Sequence, residues 1–121
     1  MVELLSDLPE NVVGVEATGH VEADDYREVI APALERALAG NDKVRLLAVL
    51  GDGFEGYSAG AAWEDAKMGI GHWGAWERMA IVTDRDLFRD AIKAIGWMLP
   101  GEVRVFPLAE REQAAAWVSV A

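Results

Sequence analysis

The spacing of apolar residues changes period several times along the chain, and each change marks an element. Residues 2–6 are a short apolar run ended by the turn-rich Asp7-Leu8-Pro9-Glu10-Asn11. Residues 12–18 then alternate, with Val13, Val15 and Ala17 on one face and Val12, Gly14, Glu16 and Thr18 on the other. A period of two is that of a strand, and the short link predicts an antiparallel pair at a sheet edge. From Tyr26 the period lengthens: Tyr26, Val29, Ile30, Ala33, Leu34, Ala37 and Leu38 form one helical stripe, stopped by Gly40. Asp24 or Asp25 is expected to cap this helix. Pro32, whose nitrogen cannot donate, is expected to kink or divide it.

Residues 43–50 (KVRLLAVL) and 76–83 (WERMAIVT) carry runs that suit strands covered on both faces. Between them a glycine-rich acidic loop, 51–56, leads into a helix ending near His72 and Trp73. Phe88, Ala91, Ile92, Ile95 and Leu99 mark a further helix, capped by Asp84 or Asp86 and stopped by Pro100-Gly101. A last strand over 103–106 and a closing helix over 110–118 complete the order β-β-α-β-α-β-α-β-α. The predicted fold is α/β, a single domain over 1–121 with a mixed, mainly parallel sheet of about five strands and four helices. Its crossovers are expected to be right-handed.

Composition narrows the function classes. With 52% apolar residues among 121, one domain can bury an ample core. The 21 acidic and 11 basic residues give a net charge of −10, which disfavours nucleic acid and anionic membranes as partners. A protein, or a neutral, apolar or cationic ligand, remains. The absence of cysteine removes disulfides, thiolate metal sites and a cysteine nucleophile. No window approaches the roughly 18 apolar residues of a spanning helix, and the N-terminus lacks a signal-like pattern, so a cytoplasmic location is expected.

Candidate chemistry concentrates in residues 51–73, GDGFEGYSAGAAWEDAKMGIGHW. Gly51, Gly53 and Gly56 match G-x-G-x-x-G, but Asp52 and Glu55 would repel a pyrophosphate, so a turn is the expected role. Ser58 stands where a helix N-cap belongs. A phosphate on its hydroxyl would meet free amides at the positive end of the dipole. Ala59, Ala62, Trp63, Ala66, Ile70 and Trp73 form one stripe of the following helix, with Glu64 or Asp65, Met68 and His72 on an adjoining one. The tryptophans suit packing or an aromatic contact surface, and the helix's glycines weaken it by up to about 1 kcal/mol each. Asp65 and His72, seven apart, lie about two turns from each other, too far for a direct bond. Nothing in the spacing of Ser58, His72 and Asp84 fixes a triad. Two histidines with scattered carboxylates make no metal pattern. No catalytic residue, metal or cofactor is therefore assigned.

The segments GYSAGAAWEDAKMGIGHW, ERMAIVTD, EVRVFPL and EQAAAWV resemble the SpoIIAA-like proteins, small bacterial relatives of the STAS domain of sporulation anti-sigma-factor antagonists. Trp63-Glu64-Asp65, His72, Ala80-Ile81-Val82, Phe106 and Ala116-Trp117 carry the likeness. In true antagonists a serine at the start of the helix after the third strand is phosphorylated to release the partner. Ser58 matches it by position and Gly60 fits, whereas Tyr57 stands in place of the usual aspartate. The fold is also likened to lipid-binding CRAL-TRIO domains. The resemblance implies a regulatory or binding module, and the aromatic, glycine-rich helix beside the acidic loop points to non-enzymatic contact with a protein partner through residues 51–73, with Tyr57, Ser58, Trp63, Asp65, Met68, His72, Trp73 and Trp97 as the candidate binding residues. The competing expectation is a carrier of a hydrophobic or lipid-like ligand, membrane-peripheral in one form, with Trp63, Met68, Trp73, Trp97 and Met98 lining its cleft. Five tryptophans on so short a chain also make a homodimer a reasonable expectation.

Overall fold

In the computed structural model, which describes residues 1–71, 73–98 and 101–120 (the side chains of 52, 69, 70, 73 and 95 excepted), β1 (Val2–Leu4) pairs antiparallel with β2 (Val12–Val21). Val2 lies opposite Ala17 and Leu4 opposite Val15. Gly14 on β2 has a packing reason: a Cβ there would sit 2.3 Å from Leu8 Cδ1, so the missing side chain admits Leu5 and Leu8 over the strand.

Helix α1 spans 23–40 and is divided as Pro32 requires. A π turn, Tyr26–Ile30, ends with Ala31 N–H donating to the Tyr26 carbonyl, and the α-helix Ala31–Gly40 begins with the proline in its first turn. Neither Asp24 nor Asp25 is the N-cap. Glu22 occupies that position, and Asp25 sits three residues on, where its Oδ2 accepts the Glu22 N–H at 2.8 Å.

β3 (Val44–Tyr57) departs most from the sequence pattern. Residues 51–56 are a continuation of the strand rather than a loop, paired with β2 through Gly19–Phe54, His20–Gly56 and Val21–Tyr57. The ladder shifts register on either side of Gly19. Positive φ values at Gly19 (59°) and Gly56 (130°) supply the bulged geometry, so these glycines bend a long strand where they would otherwise end it.

After β3 come α2 (Ala59–Gly71), β4 (Trp76–Val82), α3 (Asp86–Ile95), β5 (Glu102–Phe106) and α4 (Arg111–Ser119). Single 3-10 turns precede β4, follow α3 and precede α4. The cap of α3 is Arg85 instead of Asp84 or Asp86: Thr83 Oγ1 accepts the Arg85 N–H at 3.1 Å, while Asp84 Oδ1 accepts the Leu108 N–H at 2.9 Å. Asp86 remains in the first turn, where the dipole favours a carboxylate.

The five strands lie in chain order, β1-β2-β3-β4-β5, parallel from β2 onward. Because every crossover steps in the same direction, connections of one hand place α1, α2 and α3 on one face and leave the other to α4. Two cores follow. Val13, Val15, Ile30, Leu34, Ala48, Leu50 and Phe54 fill the three-helix side. Val12, Leu47, Val49, Val82, Phe106, Ala114 and Val118 fill the side closed by α4. Fully burying each such aliphatic or aromatic side chain contributes about 1.5–3 kcal/mol.

Candidate functional site

The long β3 carries Tyr57 and Ser58 to the carboxyl end of a central parallel strand, where α/β sheets gather their sites. Ser58 turns the chain into α2. Its N–H donates to the Val21 carbonyl at 2.9 Å, and its Oγ accepts the Ala61 N–H at 3.0 Å, so the serine is the N-cap. Gly56-Tyr57-Ser58-Ala59-Gly60 also has the G-x-S-x-G spacing of a nucleophile elbow, so the motif is present in the chain. The backbone decides against it. An elbow strains its serine to thrust Oγ outward, whereas among the described residues Asp7 alone combines a side chain with positive φ, and the Ser58 hydroxyl is turned into its own helix.

Around this turn lies an aromatic cluster. The Tyr57 ring meets Phe54 at 5.3 Å between centroids, and both Phe88 and Tyr26 at 6.3 Å. Phe54 also packs edge-on to Phe88 at 5.3 Å. The Arg85 guanidinium lies 5.7 Å from the Phe54 ring centroid and donates to the Phe54 carbonyl. Asp65, one helical turn past Ala61, accepts the buried Tyr26 hydroxyl on Oδ1 at 2.9 Å. Burial holds both phenols above the ordinary tyrosine value, with the Asp65 charge adding to it; Tyr57 is pushed up to about 12, the hydrogen bond with Tyr26 pulling the other way. Asp65 is raised by burial of its carboxyl and lowered in part by the Tyr26 bond, although much of the residue is open to solvent. Tyr26, Phe54, Phe88 and Arg85 were absent from the sequence-based site. Phe54 was hidden in the supposed loop and Tyr26 in the core stripe of α1.

The predicted contact residues separate into groups. On α2 the buried side is Ala61, with Glu64 and Met68 partly buried. The Ala59–Ala62–Trp63–Ala66 stripe faces outward, leaving Trp63 65% exposed rather than packed. Small Ala61 and the Asp65–Tyr26 bond let the opposite side seat on the sheet and α1. Tyr57 is 38% exposed at the strand end. Trp97, 81% exposed, lies past the end of α3 beside β5, lining a hollow of about 340 Å³ with Ile92, Gly96, Val103 and Val105. A second hollow, about 420 Å³, lies between α1 and the β1–β2 link. Neither includes Trp63 or Met68. His72 and the side chain of Trp73 lie outside the described residues. Among the described residues no three acidic or histidine side chains gather to hold a metal, and no helix is long and apolar enough to cross a membrane.

A family model described as SpoIIAA-like matches residues 12–119, nearly the whole chain. The chain belongs to the SpoIIAA-like family. No curated protein matches it. Among solved structures, an uncharacterised protein of the DUF3478 family from Shewanella loihica, described as having a SpoIIAA-like fold, superposes with a TM-score of 0.77 at 28% identity. The alignment covers 97% of this chain and 93% of that one. The expected SpoIIAA-like fold, with its mostly parallel sheet and four helices, is therefore established, and with it the topology that sets Ser58 and α2 at the strand ends.

Proposed function

We propose that this SpoIIAA-like protein is a non-enzymatic binding module that engages a protein partner through the end of β3 and the outer side of α2. The observation that carries the reading is Trp63, 65% exposed in the middle of a helix whose opposite side is anchored. Exposed tryptophan and tyrosine are the side chains that most often supply the central energy of a protein interface. Trp63 and Tyr57 are the exposed aromatic groups of that surface, while Glu64 already pairs with Arg27 at 3.5 Å and with Lys67 at 3.2 Å, so the matching surface needs an apolar pocket rather than a charged one. Ser58 is the modification point the family likeness suggests. Phosphorylation would exchange its cap for a doubly charged group beside that surface and release the partner by disturbing the turn into α2.

Trp63→Ala tests the reading. Removing a mostly exposed side chain is expected to change stability by less than about 0.5 kcal/mol. Partner capture from the source cell should nevertheless fall by at least about tenfold, as at an interface hot spot. Loss of fold in step with loss of binding would return Trp63 to a packing role. For the phosphoswitch, partner affinity that is the same for Ser58→Asp and for the parent chain removes it.

A carrier of an apolar ligand is the second reading, supported by Trp97 and Met98, 81% and 50% exposed, the former beside the 340 Å³ hollow. Native mass spectrometry of the purified protein decides it, since a carrier retains a co-purifying apolar molecule.

A further inference from the structure

We infer that β5 is the seam of a homodimer, formed by antiparallel pairing of two β5 strands about Val103 into a continuous ten-stranded sheet. The surface is separate from the α2 face and does not rest on the function proposed for it. Among the described residues the sheet ends at β5, which has β4 on one side and no strand on the other. Thr83 N–H donates to the Phe106 carbonyl at 2.9 Å, directing that residue's backbone toward β4. Alternation along the ladder then turns the N–H and C=O groups of Val103 and Val105 outward. Natural edges are usually blunted by proline, lysine, a bulge or a covering element. β5 has no proline, no lysine and no register shift against β4.

Its charges favour a second copy of itself. Glu102 and Arg104 are both exposed, and among the described residues neither has an ion-pair partner; Arg104 lies only over the rings of Phe106 and Trp117, at 5.4 and 5.3 Å. Two registers bring outward backbone groups of both copies together: one pairs Val103 with the partner's Val105 in both directions, and the other pairs the two Val103 residues and leaves Val105 beside Gly101, which at φ 71° lies outside the strand. Centring the pair on Arg104 sets one guanidinium against the other. Centring it on Val103 sets each Glu102 opposite the partner's Arg104, at a non-hydrogen-bonded position where Cα atoms approach to about 4.5 Å. Charge therefore selects the second register. Pairing about a two-fold axis keeps like faces together, so Trp97 from each copy meets the partner's Val103 and Val105 across the hollow beside β5.

Sedimentation velocity at physiological ionic strength, where the repulsion between two −10 chains is screened beyond about 8 Å, tests the seam. From low-micromolar to submillimolar concentration the full chain should sediment at twice 13.1 kDa. Val103→Pro removes an N–H that β4 does not use, so it should keep the far-UV circular dichroism of the parent and abolish the dimer. Arg104→Glu, which places glutamates opposite one another, should also give a monomer, and combining it with Glu102→Arg should restore the dimer. Trp63→Ala should leave it intact, which keeps a failure of the seam distinct from a failure of the α2 surface. A parent chain that stays at 13.1 kDa throughout, including one that instead pairs β5 with an extended segment of another protein, overturns the inference, as does a dimer indifferent to Val103→Pro.

Discussion

Tyr26 and Tyr57 are the only tyrosines in the chain, and they share one cluster, so their ionisation can be read directly by absorbance. With both phenols raised by burial, tyrosinate should be nearly absent until the pH passes the ordinary value of about 10. Between that value and the folded value of Tyr57, about 12, the folded state holds a proton that the unfolded chain has released. Stability therefore falls as pH rises through that window, and Tyr57→Phe should flatten the fall in thermal scans. Asp65 obeys the same sign at lower pH. Its raised carboxyl binds a proton above the ordinary carboxylate range, so the parent should lose stability relative to Asp65→Asn as pH climbs out of that range. Tyr26→Phe removes the bond to Asp65 and is expected to cost about 1 kcal/mol, visible in denaturant midpoints. None of this partnership was legible in sequence. Tyr26 and Asp65 are 39 residues apart, and periodicity assigns each to a helix face without saying which helices meet.

The elements themselves were more legible. Each expected strand and helix is present, β3 running past its expected end, because a period of two, a period of 3.6 and an unbroken apolar run each reflect burial on one or both faces. The misplaced features were those in which a local signal has two physical outcomes. Glycines at 51, 53 and 56 read as a loop, yet pairing with β2 absorbed them as a bulged strand in which, of the three, Gly56 alone takes positive φ. The aspartates expected as caps are excellent dipole partners, but Glu22 and Arg85 took the cap positions, leaving Asp25 and Asp84 to bind other amides. On α2 the described members of the apolar stripe, Ala59, Ala62, Trp63 and Ala66, face outward, because small Ala61 lets the helix approach the sheet and Trp63 does not. Two element-level outcomes follow. Ser58→Ala should cost about 1 kcal/mol by freeing the Ala61 amide at the start of α2, with amide exchange in its first turn rising accordingly. Gly101→Ala should cost more. Its φ is 71°, and a Cβ would stand 2.4 Å from the Glu77 carbonyl oxygen, so the turn into β5 must shift away from β4.

For the whole molecule, the decisive contacts bind the last helix to the middle of the sheet. Arg45 is 7% exposed; its Nε donates to Glu77 Oε1 at 2.6 Å and its Nη1 to the Val118 carbonyl at 2.9 Å. Arg78 donates to the Trp117 and Val120 carbonyls at 3.0 Å each. Two cations thus satisfy the open carbonyl end of α4 and suit its dipole. Because Glu77 keeps access to water, Arg45→Met should cost about 2–3 kcal/mol, below the 3–5 kcal/mol of breaking a fully buried pair, with the largest rise in hydrogen exchange in α4. Lysine is a poor replacement, since one ammonium cannot hold carboxylate and carbonyl in the same fork. The sheet's strands also lie in the order of their synthesis. A chain leaving the ribosome can therefore lay down each crossover against the strand before it and finish the three-helix side as it grows. The opposite side has no such schedule: Val12, Leu47, Val49, Ala80 and Val82 have only partial cover, from Leu5, Leu8 and Leu108, until α4 emerges. For that interval the nascent protein is an open apolar sheet in need of a chaperone, and a ribosome stalled before Arg111 should release a product that aggregates.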